Sequence, residues 1–227
     1  MKYAFVTSMN EKYYHKCGKD MLDSCSKHLK NFPLYLYNED FMPDHNVTLM
    51  GWNLGEEYNN FDQRWPKKSS VSKFGKKGFS IIHAMNNIDC DFLIWLDADC
   101  IVKQPITQEL LETITSNNSL SSHFSVYHNK NNREYHSCET GFFILNKNHK
   151  KFSNFKEIYT SIYINDDISN LRRFYDGEVY GETINRLGNE SMNNLNPGKH
   201  KTPMTRSIIK DYITHFKGKS LKDRVFN

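Results

Sequence analysis

Two acids, Asp97 and Asp99, stand one residue apart directly after the apolar run Phe92–Leu96 in the stretch "DFLIWLDADCIV". Charged carboxylates at the mouth of a buried segment are costly unless a proton or a cation accompanies them. In an extended chain residues i and i+2 point the same way, so Asp97 and Asp99 are expected to face one point. Carboxylate oxygens are hard ligands. They suit Mg2+ or Mn2+, with the coordination completed by substrate phosphates and water. The pair therefore predicts a divalent ion bridging the protein to a diphosphate. The structural alternative is a solvated strand end, or a cap for the helix expected in "PITQELLETI".

The flanking sequence indicates how the pair is held. "KYAFVTS" reads as a first strand over residues 2–7, and a helix is expected from about Glu11 to Leu29. There Tyr14, Cys17, Met21, Leu22, Cys25 and Leu29 recur at the spacing of one helical face. "FPLYLYNED" reads as a second strand ending in Glu39 and Asp40, and "VTLMGWNL" as a third. "NNFDQRWPKK" reads as loop, with Trp65 in a packing role. "SSVSKFGKKGFSIIHAMNNI" reads as a helix capped by Ser70 or Ser72, with Val71, Phe74, Gly78, Ile81, Ile82 and Met85 along its buried stripe. Lys73, Lys76 and Lys77 lie near its first turns, where the competing reading is a wet helix face. "SLSSHFSVYH" and "CETGFFILN" read as strands, "KFSNFKEIYTSIY" as a helix, "FYDGEVYGETINRLG" as a loop entering a helix, and "RSIIKDYITHFKGKSLKDRVFN" as a last strand with a basic tail.

Strands alternating with helices indicate an α/β fold with a mixed, mainly parallel central sheet flanked by helices. Ligands of such sheets collect at the carboxyl ends of the strands. Asp97, Asp99, Thr7 and Glu39 all lie at such ends. The chain of 227 residues fits one domain. Its nucleotide-binding half is expected over residues 1–102, and residues 103–227 are expected to complete the acceptor side and the metal site.

Composition narrows the function classes. Hydrophobic residues at 38% exclude a disordered chain. A scattered net charge of +4 is too weak for nucleic acid but suits an anionic phosphate compound. Five cysteines with no CxxC pair read as reduced thiols of a cytoplasmic protein. The sequence shows neither a secretory leader nor an apolar run of membrane-spanning length.

A strand of this type ending in Asp-x-Asp, after two βαβ turns, resembles the DxD signature of the GT-A glycosyltransferases, which have a Rossmann-like fold and use nucleotide sugars. Two further stretches share the resemblance. "CETGFFILN" is similar to the strand that carries a small-residue turn and an acceptor-side polar group. "THFKGKSLK" is similar to the His-x-x-Gly-x-x-Lys element of the glycogenin-like and galactosyltransferase-like families. His215 and Gly218 fit that element, whereas the lysine position holds Leu221 with Lys219 and Lys222 beside it, and no Pro-Trp follows. The overall likeness is to small enzymes of this kind, including those of large DNA viruses, which implies a viral or bacterial protein of the (host) cytoplasm.

The resemblance implies roles. Asp99 is the principal ligand of Mn2+ (or Mg2+), Asp97 shares the metal or holds the ribose, and His215 completes the set. Thr7, Ser8 and Ala98 lie against the nucleotide sugar. Tyr37 stacks on the base and Glu39 accepts an N–H from it. Lys73, Lys77 and Lys222 offset phosphate charge. An inverting enzyme also needs a carboxylate base on the acceptor side. Glu139 is the first candidate and Asp176 the second; in a retaining enzyme one of them binds the sugar or stabilises developing positive charge. The implied partners are a UDP-sugar donor and a glycan or other hydroxyl acceptor. A nucleotidyltransferase is the alternative enzyme, but "VTSMNEKYY" lacks the glycine-rich loop expected after its first strand. An Asp-x-Asp phosphatase would carry its nucleophile on the first strand. An inactive binding module would be expected to lack one of Asp97, Asp99 and His215, and all three are present.

Overall fold

The computed structural model describes residues 1–65, 69–115, 119–130, 133–196 and 202–216, the side chains of 127–130 and 133–136 excepted. Strand β1 (Tyr3–Met9) leads into a helix in three parts: α1 (Glu11–Tyr13), a π-helical turn (Tyr14–Gly18) and α2 (Lys19–His28). Then follow β2 (Leu34–Asn38), β3 (Thr48–Leu49), α3 (Glu56–Arg64), α4 (Ser70–Asn87), β4 (Phe92–Leu96), β5 (Cys100–Val102) and α5 (Gln108–Ile114). The second half contains β6 (Ser121–Lys130), β7 (Arg133–Asn146), α6 (Phe152–Ile164), α7 (Asp176–Leu187), β8 (Met192–Asn194) and β9 (Ile213–His215).

Seven strands form the central sheet in the order β3-β2-β1-β4-β7-β6-β8. It is mixed: β3, β2, β1 and β4 run parallel, β7 is antiparallel to β4 and β6, and β8 is parallel to β6. The period of two along β1 and β4 feeds two apolar layers. Ala4, Val6, Leu93 and Trp95 pack with α3, α4, α6 and α7 on one face. Tyr3, Phe5, Ile94 and Leu96 pack with α2 and α5 on the other. A separate two-stranded sheet pairs β5 with β9, antiparallel, with Cys100 opposite His215.

Three local expectations are corrected. The segment read as loop is helix α3. Tyr58 and Phe61, three apart, bury its inner face, and Arg64 caps α6 by donating to the carbonyls of Tyr163 and Ile164 at 3.2 Å each. The cap of α4 is Ser69, whose hydroxyl accepts from the Ser72 amide at 3.1 Å. The third strand shrinks to Thr48–Leu49, both exposed at the sheet edge. The stripe of α2 holds, with Tyr14, Cys17, Met21, Leu22, Cys25 and Leu29 all buried. Trp65 packs with Phe174 at a centroid distance of 6.2 Å.

Two features of this core are open to test. Gly78 of α4 faces Tyr163, and a Cβ there would lie 2.2 Å from a fully buried ring. Gly→Ala inside a helix normally stabilises by up to about 1 kcal/mol. At this position overpacking reverses the sign, and Gly78→Ala is expected to cost about 1–3 kcal/mol in denaturant unfolding. His123 lies at an irregularity in β6, 2% exposed, between the Ser121 and Ser125 hydroxyls. Burial lowers its pKa to about 4. The folded pKa lies below the unfolded one, so its contribution is whole above pH about 6.5 and is lost as pH falls toward about 4. Stability should therefore fall by up to about 3 kcal/mol across that window, with a visibly smaller slope in His123→Asn.

Candidate active site

A cleft of about 940 Å³ opens at the carboxyl ends of β1 and β4. Its walls come from the start of the first helix, the N-terminal half of α4, the turn after β4, the middle of β7 and the entry to α7.

The turn after β4 separates the two acids. The Cys100 amide donates to the Asp97 carbonyl at 2.9 Å, so the chain reverses over residues 97–100 instead of running on extended. The two carboxylates therefore meet different partners. Asp97 Oδ1 accepts from Trp95 Nε1 at 2.7 Å and contacts Lys77 Nζ at 2.6 Å. Asp99 Oδ1 lies 3.0 Å from His215 Nε2, and Asp97 Oδ2 lies 3.9 Å from the same nitrogen. The acids still converge on one atom, His215 Nε2, as expected, but a turn and not an extended strand brings them there.

His215 reaches this position through β9. Its Cα pairs with that of Cys100, and the Phe216 amide donates to the Asp99 carbonyl at 3.0 Å. Its ring lies against Gly141, where a Cβ would stand 2.4 Å from Nδ1. Glu139 Oε1 is 3.1 Å from that Nδ1, and the Gly141 amide donates to the same oxygen at 3.4 Å. Burial lowers the affinity of the imidazole for a proton, but the Asp99 contact and the charge of Asp97 outweigh it and raise the His215 pKa.

Lys77 is the second hub. Its ammonium, 11% exposed, contacts Asp97 Oδ1 at 2.6 Å and Asp176 Oδ2 at 2.5 Å and donates to the Thr140 carbonyl at 2.8 Å. An ammonium has three donors, and all three are used. Lys77 is therefore not free to meet a diphosphate, contrary to the sequence expectation. Burial opposes its charge, but Asp176 and Asp97 hold it protonated above the ordinary lysine range. Asp176, the first residue of α7, also accepts from Thr140 Oγ1 at 2.6 Å. Burial opposes its ionisation, yet Lys77 and the Thr140 hydroxyl hold its pKa below the usual range. Burial raises Asp97 in spite of Lys77, and the charges of Asp99 and Asp176 add to the rise.

Several other expectations are corrected. Tyr37 is fully buried with its hydroxyl 2.8 Å from His83 Nδ1, so it offers no face to a base. Thr7 is also fully buried, behind the cleft lining, whereas Ser8 and Ala98 line it. Glu39 reaches the cleft but is ion-paired to Lys76, which the sequence had suggested was solvated. Lys73 lines the cleft with its ammonium 3.0 Å from the Tyr13 hydroxyl. A carboxylate held ionised by Lys77 is a weak proton acceptor, and Glu139 faces the imidazole. The geometry thus favours positioning roles for Asp176 and Glu139 over that of acceptor base. Lys222, with Gly218 and Lys219, lies outside the described residues.

Sequence reasoning missed Trp95, Thr140, Gly141 and the partners of Lys77. Trp95 was legible, since it precedes Asp97 by two residues and shares its side of the chain. The contacts of Lys77 span 20 to 99 residues of sequence and leave no local pattern.

No family model matches the sequence, and no curated protein matches it. Comparison with solved structures places the fold among the GT-A glycosyltransferases. The bifunctional glycosyltransferase WbbM in its apo form aligns with a TM-score of 0.59 and 13% identity over 96% of this chain and 46% of its own. This chain therefore spans about half of that protein. The galactosyltransferase LgtC, in complex with donor and acceptor sugar analogues, aligns with a TM-score of 0.58 and 12% identity over 95% and 87% of the two chains. A glycosyltransferase involved in glycosylation of the major capsid of PBCV-1 aligns at 0.54 and 16%, over 99% and 97%.

The Lys77 hub makes its own prediction. Removing the cation from a buried pair leaves uncompensated charge, which typically costs 3–5 kcal/mol. Lys77→Met should therefore destabilise by roughly that amount. Lys73→Met, on the exposed rim, should change stability by less than about 1 kcal/mol. Adding Asp176→Asn to Lys77→Met should restore part of the loss.

Proposed function

We propose that this chain is a divalent-metal-dependent glycosyltransferase. It transfers a hexose from a nucleoside diphosphate sugar, with UDP as the nucleotide, to a hydroxyl of a glycan acceptor. The observation that carries this reading is the meeting of Asp99 Oδ1 and His215 Nε2, with Asp97 Oδ2 beside them, in a cleft at the carboxyl ends of parallel strands. That all the solved structures compared above are glycosyltransferases supports the reaction class.

The residues fit a divalent cation. Asp97, Asp99, Glu139 and Asp176 converge on only one ammonium and one imidazole, so the floor of the cleft carries an excess of negative charge. Two carboxylate oxygens and an imidazole nitrogen form a donor set suited to Mn2+ or Mg2+. Asp99, His215 and Asp97 would hold the ion. Once bound, it would neutralise the charge that develops on the departing diphosphate.

The chain's own groups do the rest. Glu139 places negative charge 3.1 Å from His215 Nδ1, on the side of the ring away from Asp99. Lys77 draws Asp97 and Asp176 to opposite sides of one ammonium and so sets the distance between the metal side and the α7 side of the site. Asp176, kept ionised, presents negative charge where the sugar carbon becomes positive in the transition state. Ser8, next to last in β1 and on the cleft wall, meets the nucleotide.

The test is thermal melting with UDP, GDP, CDP and ADP, each with and without Mn2+. A ligand that binds only the folded state raises the midpoint. The expected result is a Mn2+-dependent shift with UDP that disappears in Asp99→Asn. Gly141→Ala, which drives a methyl group into the His215 ring, should abolish the same shift while the protein remains folded. The absence of a shift with every nucleotide at millimolar concentration would overturn the reading.

A further inference from the structure

The floor and the mouth of the cleft have opposite electrical character. On the floor every carboxylate has a cationic or imidazole partner: Glu39 with Lys76, Asp97 and Asp176 with Lys77, Asp99 and Glu139 with His215. Along the mouth lies a continuous band of cations and rings. Lys16 Nζ stands 5.6 Å from the centroid of Tyr13, and Lys73 Nζ stands 5.4 Å from both Tyr13 and Phe74. Phe74 meets Tyr175 edge to face at 5.3 Å, and the Arg173 guanidinium lies 5.9 Å from the Tyr175 ring. All six residues line the cleft. Lys16, Lys73 and Arg173 have no carboxylate within salt-bridge distance among the described residues. Tyr175 is 43% exposed, so a ring lies open beside these charges.

The band joins both halves of the chain. Tyr13 and Lys16 come from the first helix, where the π-helical turn begins at Tyr14 and widens the backbone. Lys73 and Phe74 come from the first turns of α4, and Arg173 and Tyr175 from the approach to α7. π turns recur at functional sites because they re-aim the side chains around them. Lys16 and Lys73, over ring faces and with no carboxylate in salt-bridge distance among the described residues, attract an anion, whereas the charge of Arg173 is shared with Glu178, which also lines the cleft. The flat apolar ring surfaces match the C–H face of a pyranose.

We propose that this band is the acceptor subsite and that the acceptor is an acidic glycan, one whose sugars bear carboxylate or phosphate groups. The inference rests on the glycosyltransferase reading and adds the chemical class of the acceptor. The diphosphate of the donor is answered on the floor by the metal site, which leaves the rim cations for a second anionic ligand. Rings interleaved with the charges select sugar faces over bare charge. The net charge of only +4 argues against a nucleic acid as that ligand.

The probes are a hexamer of α-1,4-linked galacturonic acid and the same hexamer methyl-esterified, which has the same shape without charge. Binding is measured by calorimetry on the full chain, without donor or metal. The acidic hexamer is expected to bind at least about tenfold more tightly than the ester at low ionic strength, with the difference shrinking as salt is added. Lys73→Gln and Arg173→Gln should each weaken the acidic hexamer by about threefold to tenfold, in proteins whose own melting shows them folded. Equal binding of acid and ester, or no binding of either, would overturn the proposal. So would equal or tighter binding of a single-stranded oligonucleotide of matched charge. The nucleotide melting shift of the unaltered chain, run in parallel, separates the two ideas. If the shift is present but the acidic hexamer is not bound, the acceptor class is wrong and the reaction class stands. If the shift is absent, the reaction class has failed on its own.

Discussion

The site depends on one buried ammonium. Lys77 rises from α4 into a pocket formed by β4, β7 and α7, where Asp97, Thr140 and Asp176 take its three donors. Replacing such a buried network with apolar groups often leaves stability unchanged or improved, so its worth lies in geometry. A cation that must satisfy three acceptors from three elements constrains their mutual distances. Asp97 cannot drift toward Asp99, and α7 cannot slide along β7. The close packing of Gly177 against the Cys138 carbonyl, where a Cβ would come within 2.3 Å, fixes the second of these from the other side.

The β5–β9 pair supplies the complementary constraint. The three-residue ladder is too short to add much stability, but its register puts His215 opposite Cys100 and so beside Asp99. A slip of one residue would turn the imidazole away. Gly141 leaves the volume that the ring occupies, and Glu139 Oε1 lies 3.1 Å from the ring's far nitrogen. The His215 side of the site is thus built from long-range pairing, and the Asp176 side from a buried ion network. The two meet at Asp97, whose oxygens serve one each.

This division explains what the sequence revealed. The parallel half was legible because its strands and helices carry clean periods: the α2 stripe and the run Phe92–Leu96 are buried as expected. The acids and His215 were legible as residue types at strand ends. Their common aim was expected too, and both reach His215 Nε2, but through a turn that the Cys100 amide closes on the Asp97 carbonyl, where the strand rule no longer applies. Tyr37, by contrast, misled. It alternates correctly along β2, but its face is the core face, where it bonds to His83. Helix α3 was missed because polar residues fill its outer face and leave only Tyr58 and Phe61 to signal it.

The lysines of α4 show how far one local motif can diverge. Lys73, Lys76 and Lys77 lie within five consecutive positions and look alike in sequence. The helical rotation of about 100° per residue turns Lys76 away from Lys77, while Lys73, on the same side as Lys77, is set apart from it by a rise of about 6 Å along the axis. Lys77 points inward and becomes the hub of the floor. Lys76 pairs with Glu39 on the wall below β2. Lys73, a full turn earlier, emerges at the mouth between Tyr13 and Phe74. One helix therefore contributes to both electrical zones of the cleft: a floor whose carboxylates outnumber its cations, and a rim where Lys73, among the described residues, has no carboxylate in salt-bridge distance. The electrical character of the cleft thus changes along one axis, from the carboxylate-rich floor to the lysine and the rings at the mouth.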